Sequence, residues 1–451
     1  MYISSTLKAS DKYLLPITFL MLAFVFYYRS LGIYFLSDDL TQIHIMSRVG
    51  LAGITHNFDI AFIRPLPYIF MAILHNLFGH TSALPYHIWN IIIHALNSWL
   101  VFLLYVAWMK RYTENTDDAV VAGIIAGLLF LALPYQSEAV TWVAATVDLM
   151  VTTWTLVTIL LYFKYRTGNN KRYLYASLLA FFMALMCKEA SIFIPVLIFV
   201  SECIEYWPKR DYGKPFKTTL LYAAWFPLYI FMRYFFLGEL IGGYHEMHTV
   251  FSPLLILYNA GLYTAKFFAF YRLLPDGIRE VLKLIVHNKI ILIITVLAAT
   301  TITLYFRNYF KQLFLNKPAL LLFMAFYISL IPVINLETSF IGDSQSDRYG
   351  YIPAIFFLML FTYLLNEIWS RKVLFAICAC LMIWFYAGAQ TIGSNWVAGS
   401  AIAEPIIRNF VPAEGTDYIL NLPDNYNGTY MLRTGFADGV SLMHSRDLTK
   451  Q

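Results

Sequence analysis

The chain has 451 residues, 59% of them hydrophobic and only 13% charged, with a net charge of +5. Soluble domains carry about 25% charged residues, so this composition excludes an ordinary soluble protein and predicts a membrane one. Lys and Arg concentrate in short loops between apolar runs, which sets nucleic acid aside as a partner. The cysteines Cys187, Cys203, Cys378 and Cys380 lie in or beside apolar runs, where thiols act as small hydrophobes. They form neither a disulfide framework nor a zinc spacing.

Apolar runs of the ~20 residues that cross hydrocarbon predict eleven spans, near 14–36, 86–108, 118–134, 144–163, 173–187, 190–207, 218–237, 288–306, 318–336, 350–366 and 373–391. The first run is too long and too aromatic for a signal-peptide core and reads as an uncleaved anchor. The loops "MKRYTE", "KYRTGNNKR", "PKRDYGKPFK", "RNYFKQLFLNK" and "SRK" alternate with loops poorer in Lys and Arg. The positive-inside rule therefore puts these five loops and the N-terminus in the cytoplasm, and the C-terminus outside. The fold class expected is an all-α polytopic membrane protein, with residues 1–391 as the transmembrane domain and 392–451 as a small extracytoplasmic α/β cap. The cap is expected because "DYILNLPDNYNGTYMLRTGFADGVSLMH" has strand-like pieces around an Asn-Gly turn signal. The outer segments 37–85 and 238–287 contain amphipathic stretches such as "PLLILYNAGLYTAKFFAFYRLLP", which fit helices that lie in the interface or dip back into the protein.

Ionisable groups at membrane depth are costly, so clusters of them at span ends are functional candidates. Taken in chain order, they fall on the predicted outer side. "YFLSDDLTQI" (34–43) sets Asp38 beside Asp39. Adjacent carboxylates disfavour simultaneous ionisation, which raises one pKa and suits it to general-base work; the same stretch also reads as a helix cap. "FIRPLPYIF" (62–70) aims Arg64 from a stiff, proline-rich segment, either at a planar anion such as phosphate or as a snorkelling interfacial charge. In "YHIWNIIIHALN", His87, Asn90, His94 and Asn97 share one helical face, which fits interhelical hydrogen bonding better than a metal site. "LPYQSEAVTWVAATVDLM" (133–150) carries Glu138 and Asp148 across one outer turn, and "CKEASIFIPVL" (187–197) sets Lys188 and Glu189 in another. The Lys188–Glu189 pair reads equally as a salt bridge or as a clamp on a lipid phosphate. "GDSQSDRYGYIPAIFF" (342–357) brings Asp343, Asp347, Arg348, Tyr349 and Tyr351 to the mouth of a span. Arginine plus tyrosine hydroxyls suit a phosphate or pyrophosphate headgroup.

In their order and spacing, the Asp-Asp pair, "RPLPYIF", "YHIWNIIIHALNSWLVFLL", "LPYQSEAVTWVAATVDLM", "KEASIFIPVL" and "DRYGYIPAIFF" cover roughly residues 30 to 365. Together they make the chain resemble the GT-C superfamily of polyprenyl-phosphate-sugar-dependent glycosyltransferases, nearest to the membrane half of the transmembrane-and-tetratricopeptide O-mannosyltransferases. The tetratricopeptide array is missing. Asp347 stands where those relatives often have Glu, and "LPYQSEA" stands where they have "HP". The resemblance implies a GT-C-like bundle and an inverting transfer of one sugar from a polyprenyl-phosphate donor to a hydroxyl of a protein, glycan or lipid acceptor on the outer face. It implies Asp38 as base with Asp39 as understudy or orienter, and Arg64, Lys188, Arg348 and Tyr351 as contacts to the donor phosphate. His94, Glu138, Asp148, Glu189 and Asp347 then line or orient the site. No cofactor is demanded; a divalent metal is compatible with the superfamily but has no acidic constellation pointing to it. The expected location is a cell membrane, preferentially a prokaryotic cytoplasmic membrane, with the active site outside. Two other classes fit a polar cavity among spans: a transporter or flippase, and a non-catalytic binder of lipid-linked glycans. Charges gathered at one face, rather than at the midplane, favour chemistry over transport.

Overall fold

The computed structural model describes residues 11–50, 62–113, 116–206, 213–238, 252–268, 270, 273–274, 277–278, 280–281, 316–336, 344–412 and 421–444. Among them the regular structure is helical apart from one two-stranded hairpin. Among the described residues six helices are long and apolar enough to cross a membrane: Tyr13–Gly32, Leu84–Met109, Val143–Gly168, Pro215–Leu237, Ser346–Ile368 and Arg371–Asn409. A seventh span arises if the bent pair Thr116–Ala132 and Pro134–Thr141 counts as one. Helices are the form such runs take because hydrocarbon offers no partner to a backbone N–H or C=O. The chain is an all-α membrane protein.

Three of the expected spans correspond to shorter helices, Lys171–Leu185, Ile194–Tyr206 and Lys317–Ser329, of 15, 13 and 13 residues. At 1.5 Å per residue these reach only about 20–23 Å, against roughly 30 Å of hydrocarbon. The span expected at 288–306 lies outside the described residues. The helix Arg371–Asn409 has 39 residues, about 58 Å at the same rise, and it runs unbroken through 391–392, where the second domain was expected to begin.

The centre of the bundle is Leu84–Met109, packed against Asp11–Tyr27, Thr116–Ala132 and Thr146–Gly168. Close approach depends on two glycines one turn apart in "GIIAG". A Cβ on Gly127 would meet the Ser98 carbonyl oxygen at 2.7 Å, and one on Gly123 the Phe102 carbonyl oxygen at 3.1 Å. Small residues at i and i+4 let two backbones touch where no hydrophobic force drives helices together in lipid. The polar stripe of the central helix is spent on its neighbours. The Asn90 amide donates to the carbonyls of Val140 and Trp142, and Asn97 donates to that of Leu149. His87 donates to Ile33.

Pro134 ends Thr116–Ala132, and the chain turns by 53° into Pro134–Thr141. A further 3-10 turn, Val143–Ala145, precedes Thr146–Gly168. The stretch Pro253–Phe268 dips back into the protein: Asn259, Tyr263, Lys266 and Phe267 are buried on one face, and Asn259 donates to the carbonyls of Ile334 and Leu336. The Asn-Gly signal is a hairpin, Asn425–Tyr426 against Thr429–Tyr430, with Asn427 and Gly428 at φ +47° and +84°. Positive φ at both turn residues is what Asn-Gly accommodates. A second apolar cluster joins Ile33–Leu36, Leu40, Trp142–Ala145, Trp396, Ala403 and Ile407 to Tyr430–Leu432 and Val440. It seats the C-terminal segment on the end of the bundle that carries Asp38.

Candidate functional site at the Asp38 end of the bundle

The two carboxylates of "SDD" part company. Asp39 turns inward: its Oδ2 accepts the Leu36 N–H at 3.0 Å and its Oδ1 the Ala144 N–H at 2.6 Å. It is 1% exposed, and burial pushes its carboxyl well above the usual range, with the Asp38 charge adding to the rise and the amides opposing it. Asp39 thus ties the first turn of Asp38–Val49 to the 3-10 turn at 143–145. Asp38 turns outward and stays partly exposed, its Oδ1 accepting the Thr434 hydroxyl at 2.5 Å. Ser37 occupies the helix-cap position, but its side chain makes no cap bond; its Oγ lies 2.9 Å from Thr434 Oγ1 instead.

Arg64 sits at the cap of Pro65–Phe78, its direction fixed by the two prolines that follow. Its guanidinium lies 4.0 Å over the Phe62 ring and 3.7 Å from Oε2 of Glu189. The other Glu189 oxygen receives the Tyr229 hydroxyl at 3.1 Å and Arg233 at 3.3 Å. Tyr68, one turn into the same helix, is buried, which raises its phenol; Arg64 opposes that rise, while Asp38 and Glu189 add to it.

Deeper in, the charges pair tightly. Lys188 donates to Oδ1 of Asp148 at 2.5 Å and lies 5.4 Å from the Tyr349 ring centre. Arg348 grips Glu138 twice, through its guanidinium at 2.5 Å and its backbone N–H at 2.8 Å. Its guanidinium also stands 4.7 Å from the Trp142 ring centre, 4.9 Å from that of Tyr349 and 5.8 Å from that of Tyr430. Asp347 pairs with Lys266 at 2.7 Å, both buried. Aromatic faces around desolvated cations strengthen such contacts. The bends at Pro134 and Trp142 are what carry Glu138 over the bundle end to meet Arg348.

Tyr351 and His94 lie elsewhere, inside the helix core. His94 Nε2 faces the Leu131 carbonyl at 3.1 Å and therefore carries the ring proton. Its Nδ1 then accepts the Tyr351 hydroxyl at 2.7 Å, while Asn97 donates to the same oxygen at 3.3 Å. The structure thus pairs Arg64 with Glu189, sets Asp38 at the start of a helix that packs against the Arg64 helix, and gathers Glu138, Asp148, Lys188 and Arg348 around Tyr349 in an adjoining group. His94 and Tyr351 are bonded to each other, and Asn97 links the Tyr351 hydroxyl to the Leu149 carbonyl. Asp343 lies outside the described residues.

Sequence reasoning passed over Lys266, Arg233, Tyr229, Trp142, Tyr430 and Thr434. Arg233 in "FMRYFF" and Lys266 in "YTAKFFAFY" carried a usable signal, a lone cation inside an apolar helix, which demands a buried partner. Thr434 carried none. Among the described residues no group of three or more His, Cys, Asp or Glu is placed to hold a metal ion. Comparison of the chain with known protein families, curated proteins and solved structures returns no match.

Proposed function

We propose that this chain is an integral-membrane inverting glycosyltransferase of the GT-C type, moving one sugar from a polyprenyl-phosphate donor to a hydroxyl on the extracytoplasmic side. The observation that carries this reading is that outward-facing Asp38, at the start of Asp38–Val49, and Arg64, at the cap of Pro65–Phe78, stand on two helices packed together at one end of an apolar bundle. An outward carboxylate and an aimed guanidinium are the two groups such a reaction needs. Asp38 takes the proton of the acceptor hydroxyl as its oxygen attacks the anomeric carbon. The bond from that carbon to the phosphate oxygen breaks on the opposite face, and the electron pair leaves with the phosphate. Arg64 stabilises the charge gathering there, and Asp39 holds the backbone from which Asp38 projects. Lys188 and Arg348, engaged by Asp148 and Glu138, extend the cationic lining. The apolar spans beside Arg64 suit the polyprenyl tail.

The closed pairs favour one second reading, a protein that binds lipid-linked sugar without turning it over, because Lys188 and Arg348 are already matched. Turnover separates the two. The full chain in liposomes is given radiolabelled polyprenyl-phosphate-mannose with native membranes, and label entering protein, glycan and lipid fractions is followed. Asp38→Asn is expected to lose transfer by about 10²–10⁴-fold, the range of a general base, while still binding donor. Normal turnover by a folded Asp38→Asn protein sinks the assignment.

A further inference from the structure

The C-terminal segment does more than cover an apolar patch. Where it crosses the start of Asp38–Val49 it makes five polar contacts within one short stretch. The Ser37 N–H donates to the Met431 carbonyl at 2.8 Å. Thr434 Oγ1 lies 2.9 Å from Ser37 Oγ and donates to Asp38 Oδ1 at 2.5 Å. One helical turn on, the Asp438 carboxylate accepts the Thr41 hydroxyl at 2.7 Å and meets His44 Nδ1 at 2.7 Å. Between these contacts Gly435 sits at φ +75°, where a Cβ would stand 2.5 Å from the Ser37 carbonyl oxygen and 3.0 Å from Thr41 Oγ1. No other residue fits there without moving one backbone off the other.

The helix start that this segment grips is itself unusual. Ser37 has φ +51° and ψ −122°, a conformation that a residue with a side chain rarely adopts unless its surroundings impose it. The surroundings that impose it are Met431, Thr434 and Gly435 on one side and Asp39 on the other. Asp38 follows Ser37 directly, so the direction of its carboxylate is set by a backbone that the C-terminal segment holds. Further along the same segment, Tyr430 packs on Trp142 with ring centres 5.1 Å apart and faces the Arg348 guanidinium. One short stretch of chain therefore touches both groups of the site.

We infer that residues 421–444 are a working part of the site: Thr434 is the positioning residue of Asp38, and the Asp438 clasp on Thr41 and His44 keeps it in place. This rests on the reading of Asp38 as the base. Thr434 engages Oδ1 and fixes the carboxylate plane, leaving Oδ2 to take the acceptor proton. A hydroxyl fixed in this way acts on the reacting geometry rather than on donor affinity, since a misplaced base slows the chemical step.

The test uses the full chain in liposomes with radiolabelled polyprenyl-phosphate-mannose. Thr434→Val is expected to lower kcat about tenfold, as loss of a hydrogen bond to a charged group does, with KM for the donor within about twofold. Thr434→Ser restores kcat. Asp438→Asn is expected to lower kcat likewise and to speed amide hydrogen exchange across Phe436–His444, a readout that does not depend on activity. Thr434→Val with normal kcat beside an inactive Asp38→Asn overturns this inference alone. Thr434→Val more active than the natural chain overturns it too, since the hydroxyl would then be competing with the acceptor for Asp38. An active Asp38→Asn removes the base and this inference with it. Should Thr434→Val not fold, Thr434→Ser and Asp438→Asn decide: normal kcat in Asp438→Asn despite faster exchange overturns the clasp.

Discussion

The two ends of the bundle both carry buried ion pairs, but they use them differently. At the end away from Asp38, Arg166 meets Glu202 at 2.5 Å and Glu205 at 3.0 Å, Arg111 also pairs with Glu205, and Tyr162 donates to Glu202 at 2.5 Å. The partners there sit on regular helices except Arg111, in the turn two residues past Leu84–Met109, and the acids come from one helix, Ile194–Tyr206. These pairs fasten helix to helix. At the Asp38 end, Glu138, Lys188, Asp347 and Arg348 stand in or beside bends and 3-10 turns, while aromatic rings lie over the cations at both ends. There the pairs hold backbone that no helix would hold unaided, which is where a protein can aim side chains at a substrate. The contrast teaches that position on irregular backbone, more than charge itself, separates a candidate site from a fastener.

The sharpest way to break this contrast is to remove one acid from each end. Glu138→Ala leaves Arg348 desolvated with its strongest partner gone, and breaking a buried pair in this way costs about 3–5 kcal/mol. Glu205→Ala, at a carboxylate whose side chain is 43% exposed, is expected to cost under about 1 kcal/mol because water screens the pair. Thermal unfolding in one detergent compares them directly. Equal losses would mean that the Asp38 end is no more tightly built than the other.

Next in size is the replacement of a whole pair. Asp148→Leu together with Lys188→Met removes two buried charges at once, and apolar substitutes for a buried pair are often neutral or stabilising by about 1–4 kcal/mol. The double variant is therefore expected to melt at or above the natural chain, whereas Asp148→Leu alone melts well below it. Sugar transfer by the double variant is expected to be lost. A double variant that is stable and fully active would make Lys188 and Asp148 a fastener like Arg166 and Glu202.

Much of this contrast was readable in the sequence, and the part that was not has a physical reason. Apolar runs gave the long helices, because length and hydropathy are local properties. Asn427-Gly428 gave the hairpin, since a two-residue turn is decided by its own backbone. The parity of eleven spans is what sets Asp38, Arg64, Glu138, Lys188 and Arg348 on one side in the sequence, and six or seven spans stand among the described residues. Pairing did not follow, because which acid meets which cation depends on rotations between helices distant in the chain, as with Lys266 and Asp347. Charge in the inner loops reads only as an orientation signal, so nothing in the sequence joins Arg166 to Glu202, although both lie near helix ends. Tyr351 reads as a headgroup ligand because it neighbours Arg348 in sequence, yet its hydroxyl is engaged by His94 and Asn97 while Arg348 grips Glu138.

A smaller effect concerns pH. Burial raises the Asp39 carboxyl in the folded chain above its value of 3.8 in an unfolded one, so between those two values the folded state binds more protons. Stability then falls as pH rises through that window and levels off above the folded value. The contribution is fully present only below the unfolded value. Asp39→Asn cannot ionise and is expected to flatten the slope, as followed by thermal melts from about pH 4 upward. A slope unchanged in Asp39→Asn would assign it to another group.

The smallest expected effect lies at the rim of the far end. Arg371 pairs with Asp118 across two helix ends, with side chains 55% and 35% exposed. Exposed pairs gain little in high dielectric and lose side-chain freedom, so Arg371→Ala is expected to shift stability by no more than about 0.5–1 kcal/mol and to leave sugar transfer untouched. The pair nonetheless fixes how Arg371–Asn409 begins, and that helix is the one whose other end carries the C-terminal segment to Asp38. If Arg371→Ala slowed transfer without lowering the melting temperature, the two ends would be coupled through this single rod, and the division between fastener and site would have to be redrawn along its length.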